Sequence, residues 1–384
     1  MKIVLDTIPL IYGTGAAYRT TCNLYQELLR LDKKNEYVFL HIGRHLQRLP
    51  YSAILDENQI PVRKVFSPIR LIRWTWNSLS WPKLEQITGD IDLYHVAGII
   101  APATRRAKVL VTIRGIATEV IPELLPPERV KSLRKVLRNA MARADYYLAV
   151  SETTKKDMMK HLGVNSDIIY VVPHGVDPVF RYLTDRESLS ARLKRAFNIV
   201  RPYFLYVGAI GRHKNVMGIL QAYRLLRDKG HANHDLLLVG PSDSASQEAR
   251  DFIRKNNLQD WVIMTGQLKQ DTQELTDLYN GADCFLFPSY YEGWCSPPLE
   301  AMACGTPVVA SSCSSIPETV GEAALLADPD DPQALADKTS LLLEDKDLRA
   351  QFIEKGLQRA AELNWRASAL QLIEVYKKIE DQML

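Results

Sequence analysis

The sequence predicts an α/β protein built from two doubly wound, Rossmann-like domains facing a cleft. Three observations predict it. Short apolar runs rich in Val, Ile, Leu and Phe recur between stretches of helical periodicity, the texture of buried parallel strands. They fall into two series, 2–6, 37–42, 92–96, 108–113, 146–150 and 168–172, then 203–207, 236–239, 262–265, 284–287, 308–310 and 324–326, each strand followed by a helical pattern. The length, 384 residues, suits two domains, and no long insertion interrupts either series. The expected limits are 1–182 for the first domain, 183–201 for a polar helical linker, 202–362 for the second domain and 363–384 for a last amphipathic helix.

Composition narrows the function classes. Hydrophobic residues make up 46% and charged residues 24%, which fits ordinary globular cores. A net charge of +3 gives no argument for nucleic acid. There is no apolar run of about 18 residues, so no spanning helix is expected. The start, Met1-Lys2-Ile3-Val4-Leu5-Asp6, reads as a buried strand and not as a signal peptide, which predicts a cytoplasmic protein. Cys284, Cys295, Cys304 and Cys313 show no C-x2-C pairing, so zinc is not expected.

Residues 284–310 organise the chain. An apolar strand at 284–287 is followed by a loop containing Gly293, Pro297 and Pro298, a helix at 299–304, Gly305 at the position that ends a helix, and another strand. This is one βαβ unit. Ligands of open parallel sheets bind beyond the carboxyl ends of the strands. Glu292 lies in that loop and Glu300 in the first turn of the predicted helix. The amides of Gly293, Trp294, Cys295 and Ser296 have no strand partner and can face an anion at the helix N-terminus. Two carboxylates beside an anion site suit a ligand with both a pyrophosphate and hydroxyls, as a nucleotide sugar has. Spacing alone leaves a second reading open: Glu300 as an acid favoured by the helix dipole, and Glu292 as a solvated loop residue.

Tyr206-Val207-Gly208-Ala209-Ile210-Gly211-Arg212-His213-Lys214-Asn215 is the second key stretch. A strand ends in a glycine loop with two cations, Arg212 and Lys214, suited to a diphosphate. The alternative is a solvated basic loop. The Asp-x-Asp strings, Asp90-Ile91-Asp92 and Asp328-Pro329-Asp330, read as turn acids, so the expected chemistry uses no metal. Gly13-Thr14-Gly15 follows the first strand but is not G-x-G-x-x-G, and a tight turn explains it equally well.

The string Glu292-Gly293-Trp294-Cys295-Ser296-Pro297-Pro298-Leu299-Glu300, continued by Ala301-Met302-Ala303-Cys304-Gly305-Thr306-Pro307-Val308, resembles the E-x7-E signature of family 4 glycosyltransferases. These are retaining nucleotide-sugar enzymes with the GT-B fold, in which the segment reads E-G-F-G-L-P-P-L-E-A-M-A-C-G-T-P-V. The stretch 207–215 resembles the family's V-G-x-x-x-x-R/K-K-N, whose usual arginine falls one residue later in many members, at His213 here, with Arg212 taken in its place. Pro173-His174-Gly175-Val176-Asp177 resembles its P-N/H-G-V-D turn. The resemblance implies that Glu300 binds ribose hydroxyls, that Arg212 and Lys214 hold the diphosphate, and that Glu292 holds the hexose and stabilises charge at the anomeric carbon. It places Gly208, Gly293, Trp294, Cys295, Ser296 and Pro297 around the donor, and the backbone at Gln267 and Leu268 on the nucleobase. It places Gly13, Thr14, Gly15, Arg114 and His174 towards the acceptor. No cofactor is implied, since the nucleotide sugar is a substrate, and the last helix is expected to return to the first domain.

Two departures stand out. Arg114-Gly115 replaces the family's usual His-Asp, which suggests an anionic acceptor or an altered sugar pocket. Cys295-Ser296 replaces Gly-Leu, which should narrow the sugar pocket. The texture is nearest to bacterial polysaccharide mannosyl- and rhamnosyltransferases, which favours GDP-mannose over UDP- or dTDP-sugars as donor and a saccharide or lipid-linked saccharide as acceptor. Two rival readings are a nucleotide-sugar epimerase-hydrolase on the same fold and a non-catalytic nucleotide-sugar-binding subunit. Arg70, Arg73, Trp74, Trp76 and Trp81, with the cations of a helix at 126–144, form a basic, aromatic surface that suits an anionic membrane.

Overall fold

The structure, a computed structural model, describes residues 1–10, 15–43, 60–98, 100–241, 246–268 and 273–383. The chain divides into two compact units, Met1–Gly175 with Trp365–Leu384, and Val176–Asn364. In chain order the strands of the first unit are β1 (Lys2–Asp6), β2 (Glu36–Ile42), β3 (Val62–Val65), β4 (Leu93–Val96), β5 (Lys108–Ile113), β6 (Tyr146–Ala149) and β7 (Ile169–Val171). Its main helices are α1 (Ala16–Leu31), α2 (Ile69–Leu79), α3 (Pro127–Met141) and α4 (Glu152–Leu162). The second unit has β8 (Tyr203–Val207), β9 (Asp235–Val239), β10 (Val262–Gly266), β11 (Cys284–Phe287), β12 (Val308–Ser311) and β13 (Ala324–Ala327). Its helices are α5 (Arg186–Phe197), α6 (Val216–Leu226), α7 (Ser246–Lys255), α8 (Gln273–Gly281), α9 (Ser296–Ala303), α10 (Ile316–Val320), α11 (Pro332–Glu344) and α12 (Lys346–Glu362), and the chain closes with α13 (Trp365–Met383).

The first unit is a seven-stranded parallel sheet in the order β3-β2-β1-β4-β5-β6-β7. Its central strands are largely apolar because both faces are covered, while the edge strand β3 carries exposed Arg63 and Lys64. Alternation along β1 divides the core: Ile3 and Leu5 join one apolar cluster, and Val4 joins the other. The Ile3 cluster is closed by α1 and by α13, whose Trp365, Ala369, Leu372, Val375, Tyr376 and Ile379 recur at helical spacing and are buried. Each such large side chain contributes roughly 1.5–3 kcal/mol by leaving water. The polar ties, His95 Nδ1 to Tyr376 Oη at 2.7 Å and Ser368 Oγ to the Pro173 carbonyl at 2.7 Å, each add only about 1 kcal/mol. The helix is thus held by its apolar stripe and oriented by its polar contacts. Ser151 caps α4, accepting from the Thr154 amide at 2.9 Å, as its sequence position suggests.

The second unit is a six-stranded parallel sheet in the order β10-β9-β8-β11-β12-β13. Its carboxyl edge is laced by main-chain bonds from Gly208 to Val239, Ile210 to Pro241 and Gly240 to Gly266. Gly240 is required there, because a Cβ would collide with the Gly208 carbonyl. Gly305 (φ 73°) ends α9, and a Cβ at that position would lie 2.5 Å from the Tyr182 ring.

Two expectations change. The first unit ends at Gly175, not 182, and residues 183–201 are no free linker. They contain α5, which buries Leu189 and Leu193 and carries Arg192 onto Asp277 of α8 through a bidentate pair at 2.7 and 2.8 Å. Finally, Trp76 is fully buried and leaves the surface formed by its neighbours, while Arg143 is no free surface cation: it donates to the carbonyls of Ala101 and Trp76.

Candidate active site

In the second sheet the strand order reverses between β8 and β11, the switch point where such sheets open a crevice at their carboxyl ends. The loops on its two sides are those singled out in the sequence. After β8, residues Arg212–Lys214 form one 3-10 turn, and Asn215 takes a left-handed conformation (φ 54°) to cap α6, accepting from the Gly218 amide at 3.1 Å. Its Nδ2 donates to the Pro329 carbonyl at 2.6 Å. This turn projects Lys214 across the switch point, where Nζ lies 2.5 Å from Glu292 Oε1. Both side chains are largely shielded, at 18% and 11% exposure.

Glu292 is held from behind by the segment after β12. The Ser314 hydroxyl accepts from the Glu292 amide at 3.0 Å and donates to its carbonyl at 2.5 Å, and Ser315 Oγ donates to the same carbonyl at 2.9 Å. Sequence reasoning missed both serines. The available signal was their position just past an apolar strand, at the same edge of the sheet.

Helix α9 begins at Ser296, with prolines at its first positions, and not at residue 299 as expected. Glu300 therefore sits in the second turn and not the first. It is buried at 3% exposure and accepts from Tyr279 Oη at 2.8 Å. Cys295, the N-cap, offers no side-chain acceptor to the helix amides. Its thiol is fully buried and pushed up by that burial, with Thr319 beside it, so it packs beneath the loop. Gly293 and Trp294 are also buried, and Ser296 and Pro297 are half-buried.

Arg212 is not brought to Glu292. It is 61% exposed and pairs with Glu248 of α7. Gly208 sits under the Tyr206 hydroxyl, and Gln267 and Leu268 follow β10 at the same carboxyl edge. The Asp328-Pro329-Asp330 turn is remote in sequence yet adjacent in space. Tyr290 Oη donates to Asp330 at 2.7 Å, and burial with that partner pushes the phenol up to about 12. Among the described residues, no group of three or more His, Cys, Asp or Glu is placed to hold a metal ion.

In the first unit, Gly13 and Thr14 lie outside the described residues. Gly15 (φ 91°) is the N-cap residue of α1. Arg114 follows β5 and donates through Nη2 to Thr21 Oγ1 of α1 at 2.7 Å. His174 is buried with its ring 5.5 Å from that of Trp365. Burial, with the Arg114 charge adding, drives its imidazole down to about 3.

Solved structures of the same architecture include a sucrose-phosphate synthase from Thermosynechococcus elongatus. It is 20% identical, with a TM-score of 0.75 and all of both chains covered. Another is HepE of Anabaena in complex with UDP and glucose, 18% identical with a TM-score of 0.73, covering 98% of this chain and 99% of that one. Two Rossmann-like units of this kind make up the GT-B fold. Residues 19–180 match Glycosyltransferase Family 4 and residues 191–359 match Glycosyl transferases group 1. An O-antigen chain mannosyltransferase B of Escherichia coli is 30% identical over 383 residues, 98% of this chain and 100% of that protein. The chain belongs to family 4 of the glycosyltransferases.

Proposed function

We propose that this protein transfers mannose from GDP-mannose, with retention of configuration and without a metal, to a saccharide or lipid-linked saccharide in the synthesis of a cell-surface polysaccharide. The observation that carries this reading is the Lys214–Glu292 pair at the switch point, 2.5 Å apart. One charge suits each end of a departing nucleotide. Lys214 neutralises negative charge growing on the leaving diphosphate, and Glu292 stabilises positive charge at the anomeric carbon. The amides opening α9 add a second anion-binding element, so that fixed protein charge takes the place of a metal. Glu300, held by Tyr279, is assigned to the ribose. The acceptor hydroxyl attacks from the face the diphosphate leaves. Mannose as the sugar is supported by the 30% identity to the E. coli mannosyltransferase.

The test is product analysis with GDP-mannose, UDP- and dTDP-sugars, each with and without acceptor and in excess chelator. An α-mannoside formed only with acceptor, unchanged by chelator, is the expected product. Free sugar from a reaction without acceptor points to the hydrolase reading, and activity restored by magnesium removes the metal-free mechanism.

The same proposal includes work at the cytoplasmic face of a membrane. No helix among the described residues is long and apolar enough to cross one. Helix α2, however, buries Ile72 and Trp76 on one side and exposes Leu71, Trp74 and Leu79, flanked by exposed Phe66 and Trp81. Exposed cations stand nearby in the chain, Arg63, Lys64 and Arg70, and α3 carries exposed Lys131, Lys135 and Arg138. Arg143 ties the end of α3 to the Trp76 carbonyl of α2, so the aromatic and basic surfaces are neighbours. Each cation near an anionic leaflet adds roughly 1 kcal/mol. Cosedimentation with anionic vesicles at low salt, lost in Trp74→Ser/Trp81→Ser, is expected. A protein that stays in the supernatant points to a soluble acceptor.

A further inference from the structure

The first sheet has its own switch point, between β1 and β4. Asp6 ends β1, Gly98 follows β4, Arg114 follows β5, and α1 brings Thr21 and Tyr25 to the same edge. Asp6 is wholly buried and both its oxygens are committed to the main chain. Oδ1 accepts from the Ile8 amide at 2.8 Å, and Oδ2 accepts from the Gly98 amide at 3.2 Å. Burial pushes this carboxyl up to about 6, with the two amides and Arg114 pulling the other way. It orders the loop and forms no ion pair with the cation beside it.

Arg114 therefore has no hydrogen-bonded partner acid among the described residues. Its Nη2 donates to the Thr21 hydroxyl at 2.7 Å, and its enclosed Nε meets no acceptor among the described residues. Burial lowers it to about 10, so it remains a cation at neutral pH. Asp6 supplies a nearby negative charge at neutral pH but no hydrogen bond to the fork, and the histidines and Tyr25 beside it are neutral. His95 is held between Tyr376 Oη (2.7 Å) and Thr112 Oγ1 (2.8 Å), and it and His174 are each driven down to about 3, chiefly by burial. Tyr25 is a phenol pushed far up by burial, its hydroxyl given to the Asp6 carbonyl at 3.2 Å. An enclosed donor without an acceptor, as this Nε is, costs about 1–3 kcal/mol. A guanidinium offers five donors in a planar fork that matches a phosphate or carboxylate.

We infer that the carboxyl edge of the first sheet binds an oxyanion, a phosphate or carboxylate group borne by the acceptor, and that Arg114 is the residue that reads it. This deepens the proposed function by making the acceptor anionic. Thr21 holds the guanidinium in plane, and Asp6 positions the two loops that border it. The rival is that Arg114 only bolts β5 to α1 through Thr21.

The test is calorimetric titration of the whole chain with inorganic phosphate, pyrophosphate and glucuronate, with GDP at saturation to occupy the donor site. The expected result is one oxyanion site that weakens at least ~10-fold in Arg114→Gln, which keeps a donor for Thr21 but loses the charge. Arg114→Lys, which keeps the charge without the fork, should weaken it about threefold or more. It also serves if the glutamine variant does not fold. Preference for the phosphates or for glucuronate assigns the anion as a phosphate or a uronic acid. Equal affinity in wild type and both variants, or no oxyanion site beside bound GDP, overturns the inference and leaves Arg114 as a bolt. GDP failing to bind counts against the proposed function alone, because the readout here is the difference that Arg114 makes.

Discussion

One hydroxyl, Ser314 Oγ, serves both backbone polar groups of Glu292, accepting its amide at 3.0 Å and donating to its carbonyl at 2.5 Å. The two bonds are compatible because the hydroxyl gives one proton and receives another. Ser314 adopts φ 57° to do so. Glu292 thus owes its position to a residue outside its own loop. Ser314→Ala should lower kcat by about 10-fold or more, the loss of one to two neutral hydrogen bonds at ~1 kcal/mol each, with donor KM little changed. Steady-state kinetics check this, and an unchanged kcat would show that the loop holds itself.

Lys214 and Arg212 should separate cleanly. Lys214→Ala removes a shielded charge at the switch point and is expected to cost ~100-fold or more in kcat. Arg212 is exposed and paired with Glu248, a contact of the kind that contributes little, so Arg212→Ala should stay within about threefold. Equal losses would mean that Arg212 swings to the donor when it binds.

Tyr279 reports on Glu300. Its hydroxyl occupies Glu300 Oε2 at 2.8 Å, and both are buried. Tyr279→Phe leaves that carboxylate oxygen short of a donor and should weaken nucleotide binding by about 3- to 10-fold. Glu300→Ala should weaken it more, with a smaller effect on kcat. Calorimetry with GDP tests both, and unaltered affinity in Glu300→Ala would remove its assignment to the ribose.

The buried imidazoles give a pH signature. His95 and His174 titrate at about 3 when folded and near 6.5 when unfolded. Their folded values are depressed, so the unfolded chain holds more protons between those limits, and each contributes stability that is lost as pH falls through that window. Asp6 has the opposite sign. Its folded value of about 6 lies above 3.8, so its term favours the folded state at low pH and fades as pH rises from about 4 to 6. His95→Gln should therefore flatten the acid limb of stability between pH 4 and 6 by one proton, about 1.4 kcal/mol per pH unit. Urea unfolding across that range measures it. An identical slope in the variant would mean that His95 is already protonated in the fold.

Much of the fold was legible because its signals are local. Strands such as β8 and β11 are uninterrupted apolar runs, and Gly305 marked the end of α9 through its own conformation. Differences arise where a local signal has two meanings or where a residue's meaning depends on distant partners. Pro297 and Pro298 read as loop punctuation, yet proline is welcome in a first helical turn. Helix α5 read as a linker because its few apolar residues acquire sense only against α8. In the site, Lys214 and Glu292 meet from the two loops that the sequence singles out. It could not show that Glu248, from a separate helix, would hold Arg212, or that Ser314 would hold Glu292.

The assignment of α13 to the first unit has a consequence for biosynthesis. The ribosome delivers residues 1–175 first, yet the helix that closes over Ile3, Leu5 and Tyr25 is the last described element to be made. The second unit, 176–364, has all its strands and helices in hand before α13 is translated. The order of maturation is therefore the reverse of the order of synthesis. The later-made half can finish while the earlier-made half still shows an open apolar face, a natural client surface for a chaperone until residues 365–383 arrive.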